Sequence, residues 1–207
     1  MKSFVKCCVR FVAQLLMAPF ILWNWIVGAG VGRDRAIEWH SQWVALLPGL
    51  CGQYLRWAFL RWSIRHCHPS AKVCFGTIFS KTDAWIGENA YIGPYCSLGS
   101  VRVERDVLIS TAVQISSGAR IHGIGDLTKP IREQPGILES VTIGAGSWIG
   151  IAAVVMADVG KDCVVGAGAV VTKPIPDAMI AGGVPAKVIK SRAEAAAQES
   201  PPTASVG

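Results

Sequence analysis

Residues 141–171 read VTIGAGSWIGIAAVVMADVGKDCVVGAGAVV, and their spacing decides the fold. Apolar Ile143, Ile149 and Val155 recur every six positions, with small Ser147 and Ala153 four places after the first two. A shortened corner over 157–160 follows, and the pattern resumes at Val165 and Val171 with Ala169 between them. An α-helix repeats every 3.6 residues and a strand every two, so a period of six is neither. It describes a short flat strand and a turn, three such units closing one coil of a triangular prism. The apolar residue of each hexad points into the prism, the small one fits where backbones crowd at a corner, and glycine supplies turn geometry. A coil cannot cover its own apolar side, so stacked coils must make the core.

Upstream, the same register carries Ile86, Ile92 and Leu98, with Ala90 and Cys96 in the small positions. After one missing residue it continues through Val103, Ile109, Ile115 and Ile121, with Val107, Val113 and Ala119 between. From Ile121 to Ile143 the spacing is 22 residues, and HGIGDLTKPIREQPGILES (122–140) fills the gap as an extended loop. The sequence therefore predicts a mainly β protein with a parallel β-helix over residues 68–192. Its end reads as a short strand or loop after Asp177 and a brief helix near Val188–Arg192. The tail AEAAAQESPPTASVG (193–207) has too few apolar residues to fold and is expected to be disordered.

Residues 1–67 differ in kind. Eight of the 20 Lys and Arg and only two acidic residues lie in 1–65, which accounts for the whole net charge of +6. Six of the eight Trp lie there too. Phe11–Gly32 is 22 residues without a charge, and a bilayer crossing needs about 20. Trp43–Leu60 is a second apolar stretch, broken only by Gln53 and Arg56. Trp at the interface and Arg56, Arg61 and Arg65 reaching lipid phosphates fit a membrane surface better than a nucleic acid, for which there is no recognition motif. Pro19 and Pro48 fit kinked or re-entrant helices, giving an interfacial or membrane-embedded hairpin. The alternative is a pair of soluble helices packed on the main domain or on neighbouring subunits. The seven cysteines show no CxxC or paired spacing, so neither a zinc site nor a disulfide scaffold is indicated; buried free thiols are expected.

With these motifs in hand, the chain resembles the hexapeptide-repeat acyltransferases. Within them it resembles the xenobiotic and galactoside acetyltransferase branch and the acetyltransferases of surface-polysaccharide gene clusters. The resemblance spans about 70–192 and rests on TIGAGSWIG (142–150), VGAGAVVTKPIP (165–176) and AGGVPAKVI (181–189). It implies a left-handed helix, a homotrimer with active sites between subunits, and acetyl-CoA as donor. A domain using CoA stays in the cytoplasm, so the expected location is the cytoplasmic face of a bacterial inner membrane, with a soluble cytoplasmic protein as the alternative.

Acyl transfer to a hydroxyl needs a base, a donor for the developing oxyanion and a groove for the pantetheine arm. His122 is the one histidine in the repeat region, and it opens the loop where the resemblance places a catalytic histidine. A neutral imidazole accepts a proton at cytoplasmic pH. Glu139, Asp126 or a backbone carbonyl would orient it. Tyr95, Ser116 and Arg132 are the acceptor-side candidates; IGPYCS stands where the galactoside enzymes present an Asn, so their sugar contacts do not carry over. By resemblance, Trp148 lies beside the thioester end of CoA and Lys173 near its adenine end. Gly150, Ala152, Gly166, Ala167 and Gly168 would let the cofactor approach backbone amides, and Lys190 and Arg192 would meet its phosphates. Corner packing, coil geometry and solvated charges explain the same residues otherwise.

Other chemistries fit less well. A metal-dependent anhydrase of this fold needs three His ligands, and no metal is expected here. A nucleotidyltransferase needs an α/β nucleotide domain that 65 Trp-rich residues cannot supply. An acyl-ACP-dependent transferase and a non-catalytic trimeric scaffold remain as alternatives. The expected acceptor is a saccharide hydroxyl, free or lipid-linked, in surface-polysaccharide or glycolipid assembly.

Overall fold

The computed structural model describes residues 2–198. From His66 on, the chain winds into a three-sided, left-handed parallel β-helix of about six coils. The first coil is β1 (His66–Cys67), β2 (Lys72–Val73) and β3 (Ile78–Phe79); the second is β4 (Trp85–Ile86), β5 (Tyr91–Ile92) and β6 (Ser97–Leu98). The third is β7 (Val101–Val103), β8 (Leu108–Ile109) and β9 (Gln114–Ile115). After the loop come β10 (Val141–Ile143), β11 (Trp148–Ile149) and β12 (Val154–Val155). A bridge at Val159, β13 (Val164–Val165) and β14 (Val170–Val171) form the fifth coil, and a bridge at Ile175 and β15 (Met179–Gly182) begin the sixth. Three parallel sheets result, which we call A (β1-β4-β7-β10), B (β2-β5-β8-β11-β13-β15) and C (β3-β6-β9-β12-β14).

The inward residues are those the hexads predict. Ile86, Ile92, Leu98, Val103, Ile109, Ile143, Ile149 and Val155 are all 0% exposed, stacked in register from coil to coil. Each such side chain contributes about 1.5–3 kcal/mol of burial, and the small residues beside them close the corners. The corners use less glycine than the composition suggests. Tyr95, Ala112 and Ala152 take the left-handed conformation at successive levels of the B-to-C corner, at φ 59, 59 and 56. Gly168 (φ 65) completes that column.

The register departs from expectation at Ile121, which is 41% exposed and belongs to no strand. The excursion begins at Ser116–Ser117, and Ala119 lies in it, exposed. Val103 still pairs with Ile143 and Ile109 with Ile149, so the loop is an insertion that leaves the stack unbroken. At the other end the brief helix expected near Val188–Arg192 is a strand, β16 (Lys187–Ser191), antiparallel to β15. Helix α4 (Arg192–Gln198) follows, so the disordered tail expected from 193 starts too early. Ser191 and Glu194 form a reciprocal cap, Ser191 N donating to Glu194 Oε2 (2.7 Å) and Glu194 N to Ser191 Oγ (3.1 Å). That cap and three consecutive alanines favour helix. Residues 199–207 lie outside the described residues.

The N-terminal segment is three helices: α1 (Lys2–Val31), α2 (Arg33–Ala45) and α3 (Gly49–Ser63). Gly32, at φ 96, turns the chain between α1 and α2. α3 packs on the end of the β-helix. Its Ala58, Phe59 and Leu60 are 0–1% exposed against the open end of the first coil, because an unfinished prism end needs an apolar lid. Pro48 lies before α3 as its N-cap, so it kinks nothing. Arg56 is 2% exposed, so its guanidinium is not at the surface as expected. It donates to Leu47 O (2.6 Å) and more distantly to Val44 O, closing the end of α2, and its Nε reaches Val73 O (3.0 Å) on β2. Burial lowers its pKa from the ordinary arginine value.

α2 is tied to the same end by Ser41, whose Oγ donates to Phe79 O (3.0 Å) and accepts from Phe79 N (3.1 Å). Asp34 accepts from Thr82 N and Oγ1 and from Lys81 Nζ at 2.8–3.2 Å. Burial pushes its carboxyl up, but those donors outweigh it and hold it below the usual aspartate value. α1 packs on this base with one stripe, Ala13, Met17, Ile21, Asn24 and Gly28. Its other face leaves Leu15, Leu16, Leu22, Trp23, Trp25 and Ile26 exposed. Phe4–Val31 is long and apolar enough to cross a membrane, with mean hydropathy 1.7. Of the cysteines, Cys67, Cys96 and Cys163 are buried as expected, whereas Cys7, Cys8 and Cys51 on these helices are exposed.

Candidate active site

The inserted loop folds back over the C-to-A edge of the prism. His122 and Leu138 from the loop, with Ser97, Gln114, Ser116 and Ser117 from sheet C and its edge, line a groove of about 410 Å³. Successive coils are about 4.8 Å apart, so Ser97 and Ser116, on neighbouring coils, both reach a groove otherwise walled by Ile115, Ile121, Val154 and Met156. Ser116, an expected acceptor-side residue, is in this wall, its Oγ donating to Gly118 O (2.7 Å). Ser117 is buried and accepts from Ser100 N (2.9 Å), which ties the loop's first residues to the coil below.

What holds His122 is backbone and two residues whose roles are not visible in the pattern. Ile137 N donates to Arg120 O (2.7 Å), closing the two legs of the loop on each other. Gly136 faces the Ile121–His122 peptide so closely that a Cβ there would fall 2.2 Å from Ile121 O and 2.5 Å from His122 N. Gln134, 8% exposed, is the loop's internal brace. Its Nε2 donates to Asp126 O (2.7 Å) and Lys129 O (3.0 Å), and its Oε1 accepts from Asp126 N (3.0 Å). The only hint of these in the sequence is QPG, a turn signal inside the gap.

Neither carboxylate expected to orient His122 is turned to it within the chain. Glu139 pairs with Arg120 Nη2 at 2.9 Å on the loop's far leg. Asp126 caps its own turn, accepting from Thr128 N (3.0 Å) and Oγ1 (2.6 Å) and pairing with Lys129. These donors hold its carboxyl below the ordinary aspartate value, Thr128 contributing most. Among the described residues, the His122 imidazole has no hydrogen-bond partner within its own chain.

The other expected site residues divide between two faces. Lys173 follows β14 on the C-to-A edge, the same edge as His122 and exposed. Met156 continues from Ser116 in the next coil and Thr172 follows in the one after, so Lys173 stands two coils, about 10 Å, from the level of Ser116. Trp148 is on sheet B instead, 48% exposed, its Nε1 donating to Ser110 Oγ (3.0 Å). Tyr95 sits at the B-to-C corner with its ring against Phe75, 5.6 Å between centroids, and does not line the groove. Arg132 is exposed on the short 3-10 turn of the loop, beside Glu133 (3.7 Å).

Of the small residues, Gly150 is explained by stacking, since a Cβ would meet Ala167 N at 2.6 Å. Ala152 N donates to Thr111 O and Gly168 N to Ile151 O, so these corner amides are used by the coil. Gly166 and Gly168 have no heavy atom closer than 3.5 Å to a built Cβ, and Ala167 N has no hydrogen bond among the described residues. Arg192 is held by Asp162, its Nη1 donating to the backbone O at 3.0 Å, and Lys190 lies on β16 at the end of sheet B. No cluster of three or more His, Cys, Asp or Glu with metal-binding geometry occurs among the described residues.

No family model matches the chain. It is 31% identical over 166 residues to the galactoside O-acetyltransferase of Escherichia coli K12, a match covering 70% of this chain and 82% of that protein. It is 38% identical over 102 residues to a probable acetyltransferase of Mycobacterium tuberculosis, covering 42% of this chain and 34% of the relative. Thus the chain spans about a third of that protein. Among solved structures, a galactoside acetyltransferase in complex with coenzyme A superposes with TM-score 0.59 at 22% identity, over 78% of this chain and 82% of that one. The chain belongs to the hexapeptide-repeat acyltransferase superfamily. The relatives it matches are named as acetyltransferases, and it is a transferase of that type.

Proposed function

We propose that this enzyme transfers the acetyl group of acetyl-CoA to a saccharide hydroxyl, with His122 as general base, while residues 1–67 hold it at a membrane surface. The observation that carries the reading is the position of His122: in a groove that Ser97 and Ser116 also line, at the one insertion in an otherwise continuous stack. A saccharide hydroxyl in that groove gives its proton to the imidazole as its oxygen attacks the thioester carbonyl. The C–S bond breaks, CoA leaves as the thiol after taking that proton, and the ester remains on the sugar. Ser116 and Ser117 hold the acceptor side. Lys173 on the same edge meets the distal part of CoA, and the Ala167 amide offers a donor to the pantetheine arm.

Trp148 lies on sheet B and His122 beside sheet C, so one chain does not bring them to one groove. A homotrimer, with sheet B of one subunit facing sheet C of the next, does. In that arrangement the orienting partner of His122 comes from Glu139 once Arg120 is engaged elsewhere, or from the neighbouring subunit. The outer face of α1, with Leu22, Trp23 and Ile26 exposed, supports an interfacial attachment through one helix rather than a two-armed hairpin. On this reading the domain sits at the cytoplasmic face of the membrane, where lipid-linked sugars for surface polysaccharide are built.

The test is thiol release from acetyl-CoA against free and lipid-linked saccharides, with mass spectrometry of the product. An ester-linked acetyl on a sugar is the expected result. Acetylation only of amines, turnover only with acyl-ACP, or no thiol release with any acceptor would each overturn it, the last favouring a scaffold.

A further inference from the structure

Asn24 is out of place. It lies on the inner stripe of α1, between Ile21 and Gly28, and is 5% exposed. Its Oδ1 is buried and accepts no hydrogen bond. Across from it on α3, Ser63 is 2% exposed and its Oγ is likewise buried without a partner. Two unpaired buried polar atoms each cost about 1–3 kcal/mol, and an apolar pair of the same shape would not. Both line one cleft of about 230 Å³, together with the Trp25 indole, Arg33 and Thr82. The Trp25 ring is fixed there by its Nε1 donating to Trp62 O (3.2 Å). Arg33 has no ion-pair partner among the described residues.

The cleft does not stand alone. Arg33 also borders a trough lined by Ser80 and Lys81, and those two residues are part of the wall of the His122 groove. The trough carries Arg35 and two carboxylates, Asp34 and Glu38; Asp34 is spent on Lys81 and Thr82. An anion is therefore seated best at Arg33, at the cleft end of the path. Ser80 is two coils below Ser116 along one edge, about 10 Å.

We propose that the cleft between α1 and α3 is a substrate subsite for the phosphate-linked first sugar of a lipid-carried oligosaccharide. Arg33 takes the phosphate, Trp25 stacks on the sugar ring, and the ring's hydroxyls press into the α1–α3 seam, opening it enough to bond the unpaired Asn24 Oδ1 and Ser63 Oγ. The lipid chain leaves over the exposed face of α1, and a sugar further along the oligosaccharide reaches His122. This rests on the acetyl-transfer reading above and names the acceptor as amphipathic, anionic and longer than a monosaccharide.

The test is calorimetric titration of the full chain in non-ionic detergent with dodecyl glucosyl phosphate, dodecyl glucoside, glucose 1-phosphate and inorganic phosphate. Dodecyl glucosyl phosphate is expected to bind at least tenfold more tightly than the other three. Asn24→Leu, Ser63→Ala and Arg33→Gln are each expected to weaken it at least tenfold, with thermal midpoints measured for every variant. Equal binding of dodecyl glucoside would reduce the site to apolar adsorption and overturn the proposal. Equal binding of glucose 1-phosphate or of inorganic phosphate would replace the lipid-carried ligand with a soluble one and also overturn it. Asn24→Leu and Ser63→Ala that bind as the wild type does would show the two atoms to be merely buried, and the subsite would fall with them. Wild-type thiol release on a free saccharide reports on acetyl transfer itself, so the subsite can fail while that reading stands.

Discussion

Replacing Gly136 by alanine tests whether the loop's inner leg positions His122. No side chain on Gly136 touches the groove, so the effect must pass through the backbone. The new Cβ would lie 2.2 Å from Ile121 C and O and 2.5 Å from His122 N. Non-bonded carbon contacts settle at about 3.5–4.0 Å, so the two legs must part by roughly 1 Å. A displacement of that size at a reacting group costs about 100-fold in rate, close to 2.7 kcal/mol of transition-state stabilisation. We expect G136A to lower kcat for acetyl transfer by about that factor while KM for acetyl-CoA stays within threefold, because the CoA edge beyond Met156 is untouched. Gly125 in the same loop has nothing within 4 Å of a built Cβ, so G125A is the control and should keep kcat within twofold. A G136A enzyme with kcat within threefold of wild type, or a G125A enzyme equally impaired, would refute the positioning argument.

Other perturbations follow from the same packing. Arg56→Leu removes donors from Leu47 O and Val73 O and should lower stability by about 2–4 kcal/mol, read as a denaturant midpoint shift without change in slope. Asp34 is depressed in the folded state, so its contribution is present above the ordinary aspartate value and lost as pH falls through the folded one. The stability gap between wild type and D34N should therefore be constant at neutral pH and shrink below about pH 4. Charging the outer face of α1 (L16E/W23E/I26E) should release the protein from anionic vesicles with the melting temperature kept, as these side chains are 56–68% exposed. Cosedimentation of the triple variant at wild-type levels would contradict an attachment through that face. Iodoacetamide at neutral pH should label Cys7, Cys8 and Cys51 in the native protein but not Cys67, whose thiol burial pushes up to about 12.

The β-helix was legible because its physics is local and repeated. One apolar side chain every six residues determines which atoms point inward, and Ile86 to Ile115 and Ile143 to Val171 obey it without help from anything distant. The N-terminal segment was legible only as apolar. Composition says that Phe59 and Leu60 leave water but not whether for lipid or for the open end of a prism, and the prism won. The register failed at Ile121 because an apolar residue at the right interval is also how a loop leaves a coil. At 187–198 the strand was missed since its pairing with β15 is a tertiary fact, and the helix since one serine and one glutamate three residues apart outweighed the look of a tail. At the site, His122 and Ser116 were visible as chemistry, and Lys173 through its resemblance to a family motif. Gln134 and Gly136 were not, for their work is to fit backbone groups that only the folded loop brings together. Asn24 sat in plain view inside an apolar run, where helical periodicity alone does not say which face turns inward.

The chemistry of the site turns on whether His122 performs the proton transfer. The direct measurement is kcat for thiol release by His122→Ala, alongside calorimetric binding of CoA and the oligomeric state. General-base removal costs about 10²–10⁴-fold, so turnover should fall into that range with CoA binding and assembly unchanged. Turnover within tenfold of wild type, with an acetylated saccharide still formed, would contradict it.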